Sequence, residues 1–231
     1  MLPLKDSLPT RQFPIVTVAL IVANVLVWIF VQLPDLEASF SDLGFRPCEV
    51  DGSCPTAGQD WPVDALSSMF AHGSWDHILF NMLFLWIFGN NVEDALGRAR
   101  YLVFYLLAGF AADALQGFVT LEYGSAGEGE IPNIGASGAI AGVLGAYFLL
   151  HPRSRVLTWV FPVFFFRLPA WVYLGIWFLF QLFDGGYAFT RPEEGGGIAY
   201  FAHIGGFLFG LLAVKAFMAG RPPQLRVEHA R

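Results

Sequence analysis

Apolar stretches long enough to cross a bilayer recur along the whole chain, and they constrain the fold more than any other feature. A helix needs about 20 predominantly apolar residues to span the hydrocarbon core. Runs of this kind begin near Pro14, Trp75, Tyr101, Gly135, Pro169 and Ile198. Of 231 residues 55% are hydrophobic and only 14% charged, about half the charge of a soluble domain. In lipid each backbone polar group must find its partner inside the protein, so runs of this length fold as helices. The expected class is all-α: a polytopic membrane protein, a compact bundle of six transmembrane helices forming one domain over residues 1–231.

Short tails are expected at 1–12 and 219–231, with an outer loop at 34–74 between the first two spans. The first span runs from Pro14 to Leu33; no cleavable leader is expected, because no small-residue cleavage site follows it. Leu36 to Pro62 reads as a polar, acid-rich loop holding the two cysteines, Cys48 and Cys54, which either bridge in an oxidising compartment or stay free thiols. The second span covers Trp75 to Asn90 and the third Tyr101 to Leu121, with a turn at Asn91–Arg100. The fourth covers Gly135 to Leu150. Val156 to Phe166, interrupted by Pro162, is too short to span and reads as interfacial or re-entrant. A fifth span at Pro169–Phe183, a glycine-rich loop at Gly185–Gly197 and a sixth span at Ile198–Met218 complete the chain.

Of the 13 basic residues, only Arg46 and Arg191 fall in the loops of one side. The positive-inside rule then places both termini in the cytoplasm. In that orientation the second, fourth and sixth spans enter from the outer side, and each carries polar residues in its first turns: His77 and Asn81, Ser137, and His203. Polar groups at that depth are costly unless they meet one another or water. Their agreement across three helices points to one shared site.

The chemistry these side chains offer is nucleophilic. A serine hydroxyl is weak until an imidazole takes its proton, and the same imidazole can protonate a leaving group. Ser137 and His203 are such a pair. Gly135 and Gly138 flank the serine, and Gly138-x-x-x-Gly142 and Gly206-x-x-x-Gly210 are small faces on which two helices can approach closely. His77 and Asn81, four residues apart, share a helix face and can donate to an oxyanion, as can the backbone N–H groups of Ala136 and Ser137 at a helix start. Asp113, the one acid well inside a span, reads as a polar anchor between helices in preference to a third catalytic member. His72 is expected to point away from the site and His151 lies at its far end. The spacing of histidines and acids matches no metal motif, and there is no basic stripe for nucleic acid. No cofactor is expected.

Gly135-Ala-Ser137-Gly, His77-Ile-Leu-Phe-Asn81 and Ala202-His203-Ile-Gly-Gly206-Phe-Leu-Phe-Gly210 together resemble the motifs of the rhomboid intramembrane serine proteases, in register over about 13–218. The resemblance implies hydrolysis of peptide bonds in or near transmembrane segments of membrane-protein substrates. Ser137 would be the nucleophile and His203 the base, with no third acid, and His77, Asn81 and the Ser137 amide would form the oxyanion hole. Gly89-x-x-x-Glu93-x-x-x-Gly97 resembles a further family element, in which Glu93 ties the following turn and Gly97 caps the helix. Substrate entry would involve the fifth span and the Gly185–Gly197 loop. Two positions depart from the family: Ala141 stands where an aromatic often supports the histidine, and Phe45-Arg46 replaces a Trp-Arg pair of the outer loop. The competing readings are a rhomboid-like protein that binds membrane helices without cutting them and a small transporter; the shallow polar layer and lack of a repeat argue against transport. The compact build and short tails point to a bacterial cell membrane.

Overall fold

In the computed structural model, residues 1–55, 60–125, 127–190 and 199–220 are described. Helices dominate: α1 (Ile15–Val27, continued by a π turn, Trp28–Gln32), α2 (Leu36–Leu43), α3 (Cys48–Asp51), α4 (Trp61–Ser68), α5 (Trp75–Phe84), α6 (Asn90–Leu96), α7 (Arg98–Tyr123), α8 (Ser137–Leu150), α9 (Ala170–Thr190) and α10 (Tyr200–Phe217). A π turn, Leu85–Gly89, joins α5 to α6 without a break. Among the described residues, Ile15–Gln32, Arg98–Tyr123 and Tyr200–Phe217 are long and apolar enough to cross a membrane, and α8 is a shorter apolar helix.

The packing is that of a membrane bundle. On α1 the buried positions include Thr17, Asn24 and Gln32, while Val22, Leu26, Ile29 and Phe30 are exposed. A water-soluble helix would be arranged the other way round. The centre of the bundle is α8, buried continuously from Gly138 to Tyr147 and packed most extensively against α10 and α7. Glycine makes this approach possible. A Cβ on Gly206 would overlap the Gly138 carbonyl oxygen, one on Gly210 the Gly142 carbonyl oxygen, and one on Gly145 the Phe207 carbonyl oxygen. Gly138 and Gly142 themselves face α7, where a Cβ would strike Ala112 and Ala108.

Four expectations are corrected. Val156–Phe166 is neither a re-entrant loop nor a helix: β2 (Arg155–Val160) and β3 (Phe164–Pro169) form an antiparallel hairpin, and the expected N-terminal tail supplies a third strand, β1 (Leu2–Asp6), paired with β2. Alternation explains it, since Val156 and Thr158 are buried while Arg155 is exposed and Leu157 half-buried, the period-2 pattern of a one-sided strand. The outer loop at 34–74 is built of short helices. Asp35 caps α2 by accepting from the Ala38 N–H at 3.0 Å, and Cys48 and Cys54 are joined by a disulfide. The turn at Asn91–Arg100 shrinks to Gly97, whose φ of 79° ends α6 and lets α7 begin one residue later. Finally, α9 runs through Gly185 and Gly186 to Thr190; residues 191–198 of the expected glycine-rich loop lie outside the described residues.

In the Gly89-x-x-x-Glu93-x-x-x-Gly97 element Gly97 caps α6 as expected, its N–H donating to the Glu93 carbonyl at 2.7 Å, but the Glu93 side chain acts elsewhere than in the following turn. Glu93 accepts from the N–H groups of Val16 (3.0 Å) and Thr17 (2.8 Å) and from the Thr17 hydroxyl (2.8 Å), so it caps the first span. These are orphan donors of the α1 N-terminus, and a carboxylate there also meets the positive end of the helix dipole. At the same end of the bundle, Arg100 donates to the carbonyls of Phe217 and Ala219 at 3.0 and 2.9 Å.

Candidate active site

At the opposite end from the sheet, α8 begins with Ser137 as its first helical residue, after Ala136 in the N-cap position. The segment leading into it is held by the outer helices. Phe45 and Asn133 form a two-hydrogen-bond bridge (3.0 and 2.7 Å), and the Gly135 N–H donates to the Ser68 carbonyl at 2.8 Å. Gly135 has a φ of 133°, and a Cβ there would lie 2.9 Å from His77 Nε2 and 3.4 Å from Ser137 Oγ. Both conformation and space therefore require glycine. That requirement brings the α5 imidazole up beside the serine.

His203 enters from the first turn of α10. Its Nε2 lies 2.8 Å from Ser137 Oγ, and its Nδ1 lies 2.7 Å from Gln181 Oε1 on α9. An amide oxygen can only accept, so Nδ1 carries the proton and Nε2 presents its lone pair to the hydroxyl. Trp177, one turn before Gln181, places its ring centroid 5.9 Å from that of His203. The histidine is thus held from α9, by an amide and an indole. Nothing in the serine helix needs to stack on it, which accounts for Ala141.

His77 is fixed in the complementary tautomer. The Gly73 N–H donates to His77 Nδ1 at 3.2 Å, so the ring proton sits on Nε2, the atom beside Gly135 and Ser137. Ser74 caps α5 by accepting from the His77 backbone N–H at 3.1 Å. Asn81 is buried on the same face and donates from Nδ2 to the His77 carbonyl at 3.0 Å. The N–H groups of the first turn of α8 have no acceptor within the helix. The Nε2 of His77 and the Ser137 hydroxyl thus lie on either side of Gly135, at the helix end that carries these amides.

His72 does not point away, contrary to expectation. Its ring packs edge-on against His77, centroids 5.0 Å apart, and Gln32 brackets its backbone, accepting from the N–H at 2.8 Å and donating to the carbonyl at 3.0 Å. Both ring nitrogens of His72 are buried, and burial pushes its pKa down to about 3. It is a neutral wedge that backs His77. Among the described residues Asp113 makes no hydrogen bond to His203, and its buried Oδ2 has no partner; the residue lines a cavity of about 20 Å³ that also touches Ser137, room for about one water. His151 lies at the sheet end, with its ring against Tyr147.

Gln181 and Trp177 were missed by sequence reasoning. Gln181 had a signal, as the only amide in the apolar run from Ala170 to Phe183. Among the described residues no group of three His, Cys, Asp or Glu side chains is placed to hold a metal.

A family model described as a rhomboid domain matches residues 59–220. Rhomboid protein 1, mitochondrial, of Saccharomyces cerevisiae is 32% identical over 152 residues, 65% of this chain and 40% of that protein. The presenilin-associated rhomboid-like protein, mitochondrial, of Homo sapiens is 29% identical over 175 residues, 71% of this chain and 41% of that one. Rhomboid protease GluP of Bacillus subtilis is 30% identical over 168 residues, 72% of this chain and 28% of its own length. The matched region is less than half of each of these three relatives.

Proposed function

The chain belongs to the rhomboid family, and from that premise we propose that it is an intramembrane serine endopeptidase. Its substrates would be membrane proteins, cut in or near a transmembrane segment. The single observation that carries the reading is the contact between Ser137 Oγ and His203 Nε2 at 2.8 Å, with the imidazole tautomer fixed by Gln181.

In the proposed reaction His203 Nε2 takes the hydroxyl proton as Ser137 Oγ attacks the scissile carbonyl carbon. The oxyanion that forms is met by the Nε2–H of His77 and by first-turn amides of α8. Asn81 supports His77 through its carbonyl and reaches the oxyanion only after its amide turns. The tetrahedral intermediate collapses when His203 protonates the leaving amine. Water then attacks the acyl-serine with His203 again as base, and Ser137 leaves with its proton restored. Gln181 retains its hydrogen bond to Nδ1 while the ring carries positive charge.

The basic-residue asymmetry supports cytoplasmic termini and a site opening to the outer side, in a bacterial cell membrane. Residues 219–231 would then be a cytoplasmic tail to the one membrane domain. Substrate would approach past α9.

The test uses purified protein and a single-span substrate with a labelled tail, beside Ser137→Ala. Cleavage should disappear in the variant, and in His203→Ala. Cleavage that survives Ser137→Ala would overturn the mechanism. A folded parent that cuts no substrate, with Ser137 inert to a fluorophosphonate, would leave only helix binding.

A further inference from the structure

The sheet at the far end of the bundle has two unlike faces. Asp6, Val156 and Leu168 are direct cross-strand partners and lie on the face turned to the core, where the Asp6 carboxylate accepts from Tyr147 Oη at 2.6 Å and Asn91 Nδ2 at 2.7 Å. Lys5, Leu157 and Arg167 are likewise direct partners, and Arg155 lies two residues from Leu157, so all four share the opposite face. There they line a concavity of about 530 Å³ together with Ser7, within the range of small-ligand sites.

Three cations therefore converge on one hollow. None of their side chains is in a salt bridge or side-chain hydrogen bond among the described residues. The one acid in the hollow's wall is Asp6, and its carboxylate is engaged on the core side, where Lys5 favours its charge only at a distance. Like charges gathered this closely repel one another, and an anion that neutralised them would be strongly favoured.

The rest of the hairpin says where that anion sits. Beyond Arg167 the strands carry Phe166, Phe165 and Phe164, then Val163 and Phe161, all exposed; Phe161 is 81% exposed and Phe165 60%. Such a cluster is untenable in water but suits the acyl boundary of a bilayer. From Arg167 to the tip is about four residues, or about 13 Å of strand. That length takes a tip in the acyl region up to cations at phosphate depth.

We infer that the Lys5–Arg155–Arg167 hollow is a binding site for the phosphate headgroup of an anionic phospholipid in the leaflet at the sheet end, with the Phe161–Phe166 tip inserted beside its acyl chains. Arg155 and Arg167 would grip the phosphate oxygens, and Lys5 would add a third charge from β1. Because β1 is the N-terminal strand and β2–β3 links α8 to α9, an occupied site would clamp the chain start against the hairpin between the serine helix and the helix that carries Gln181.

The test is lipid binding to the full chain in detergent, read by native mass spectrometry with dihexanoyl-phosphatidylglycerol, dihexanoyl-phosphatidylcholine and inorganic phosphate as separate probes. The parent should bind phosphatidylglycerol in preference to phosphatidylcholine. Arg155→Gln with Arg167→Gln should weaken that binding by about a hundredfold, about tenfold for each charged hydrogen-bonding group lost. Arg153→Gln with Lys215→Gln removes the same charge from exposed positions outside the hollow and should leave binding within about twofold. Both arginines are exposed, and each single variant gives the same answer at about tenfold should the double variant fold poorly. Ser137→Ala must bind as the parent does, so the result is independent of proteolysis. Equal binding of the two lipids would overturn the inference. So would equal losses in the two double variants, which would mean diffuse attraction, or displacement by inorganic phosphate at the lipid's own affinity, which would make free phosphate the occupant.

Discussion

Gln181 is the residue whose replacement tests the site most directly. Gln181→Leu keeps the bulk and removes the acceptor for His203 Nδ1, now at 2.7 Å. In the resting site the bond joins two neutral groups and contributes about 0.5–1.5 kcal/mol; once the ring holds the serine proton it is a bond to a charged group, about 1.5–3 kcal/mol. Only the difference, about 1–2 kcal/mol, acts on the chemical step, which is about 5- to 30-fold in kcat. The loss should stay well short of the ~10⁴-fold seen when an aspartate orienting a catalytic histidine is replaced, because an amide offers no countercharge. Trp177, its ring tilted against His203 with centroids 5.9 Å apart, keeps the imidazole in place.

The assay is steady-state cleavage of a fluorogenic single-span substrate in proteoliposomes, with active sites counted by a fluorophosphonate. Gln181→Leu should lower kcat by that factor and leave KM within about twofold, with the labelling rate of Ser137 falling in parallel. Gln181→Glu, which keeps an acceptor at the same place, should recover most of the loss. A Gln181→Leu protein that turns over at the parent rate per labelled site would refute the orienting role. A fall in labelled sites with unchanged turnover per site would mean that Gln181 only stabilises the fold.

Three further outcomes follow from the packing and the titrating groups. Gly210→Ala would drive a methyl into the Gly142 backbone, which no rotamer relieves; overpacking of this kind costs about 1–3 kcal/mol, and Tm and kcat should fall together as α8 and α10 separate, whereas Gly186→Ala, with open space around its Cβ, should hold or raise Tm. Burial holds the pKa of His72 down to about 3 and of His151 to about 4, and raises that of Asp6 to about 6. Stability from the two histidines is complete above their ordinary pKa of 6.5 and is lost as pH falls toward 4, while that from Asp6 is complete below 3.8 and is lost as pH rises through 6. Near pH 5 the unfolded chain takes up protons on both histidines that the folded protein does not, so stability should fall on acidification; chemical denaturation across pH 4.5–5.5 checks it, His72→Gln should weaken the dependence, and a rise in stability toward pH 4.5 would contradict it. Asp113→Asn removes a buried carboxylate whose Oδ2 has no partner and should raise Tm while kcat stays within about twofold; a loss beyond a hundredfold would put the acid in the mechanism.

What the sequence made legible was whatever a single helix carries on its own. Ser137, His77 and His203 each sit in the first turn of an apolar run, so their common depth follows from counting residues, and the glycine faces follow from four-residue spacing. Pairings set by distant chain segments stayed hidden. β1 meets β2 across more than 140 residues of sequence, and the alternation of Val156 to Val160 is too short to announce a strand beside long apolar helices. The motif that holds Glu93 is local and suggests a local tie, yet its side-chain partners Val16 and Thr17 lie 77 and 76 residues away. Gln181 was overlooked for a related reason: α9 was expected to end at Phe183, which makes position 181 look like a frayed terminus. With the helix continuing to Thr190, the same residue lies well inside it, facing His203.

The length of α8 ties the fold to the chemistry. Its 14 residues span about 21 Å, against a hydrocarbon core of about 30 Å. Its last residue, Leu150, leads within five residues into the sheet, which carries the interfacial cations. The other end, Ser137, must therefore stop short of the opposite surface by about 10 Å. A helix of ordinary spanning length would lift the hydroxyl out of the hydrocarbon region and into the headgroups. The shortfall is covered by α2–α4, α5 and the 131–135 segment, which supply backbone carbonyls, Gly135 and the His77 ring. A helix this short and this rich in glycine has little lipid-facing surface to hold it, so it depends on α7 and α10 on either side. The glycine contacts that seat α8 are the same contacts that bring His203 to Ser137, and stability and reactivity of the site therefore rest on one set of backbone approaches.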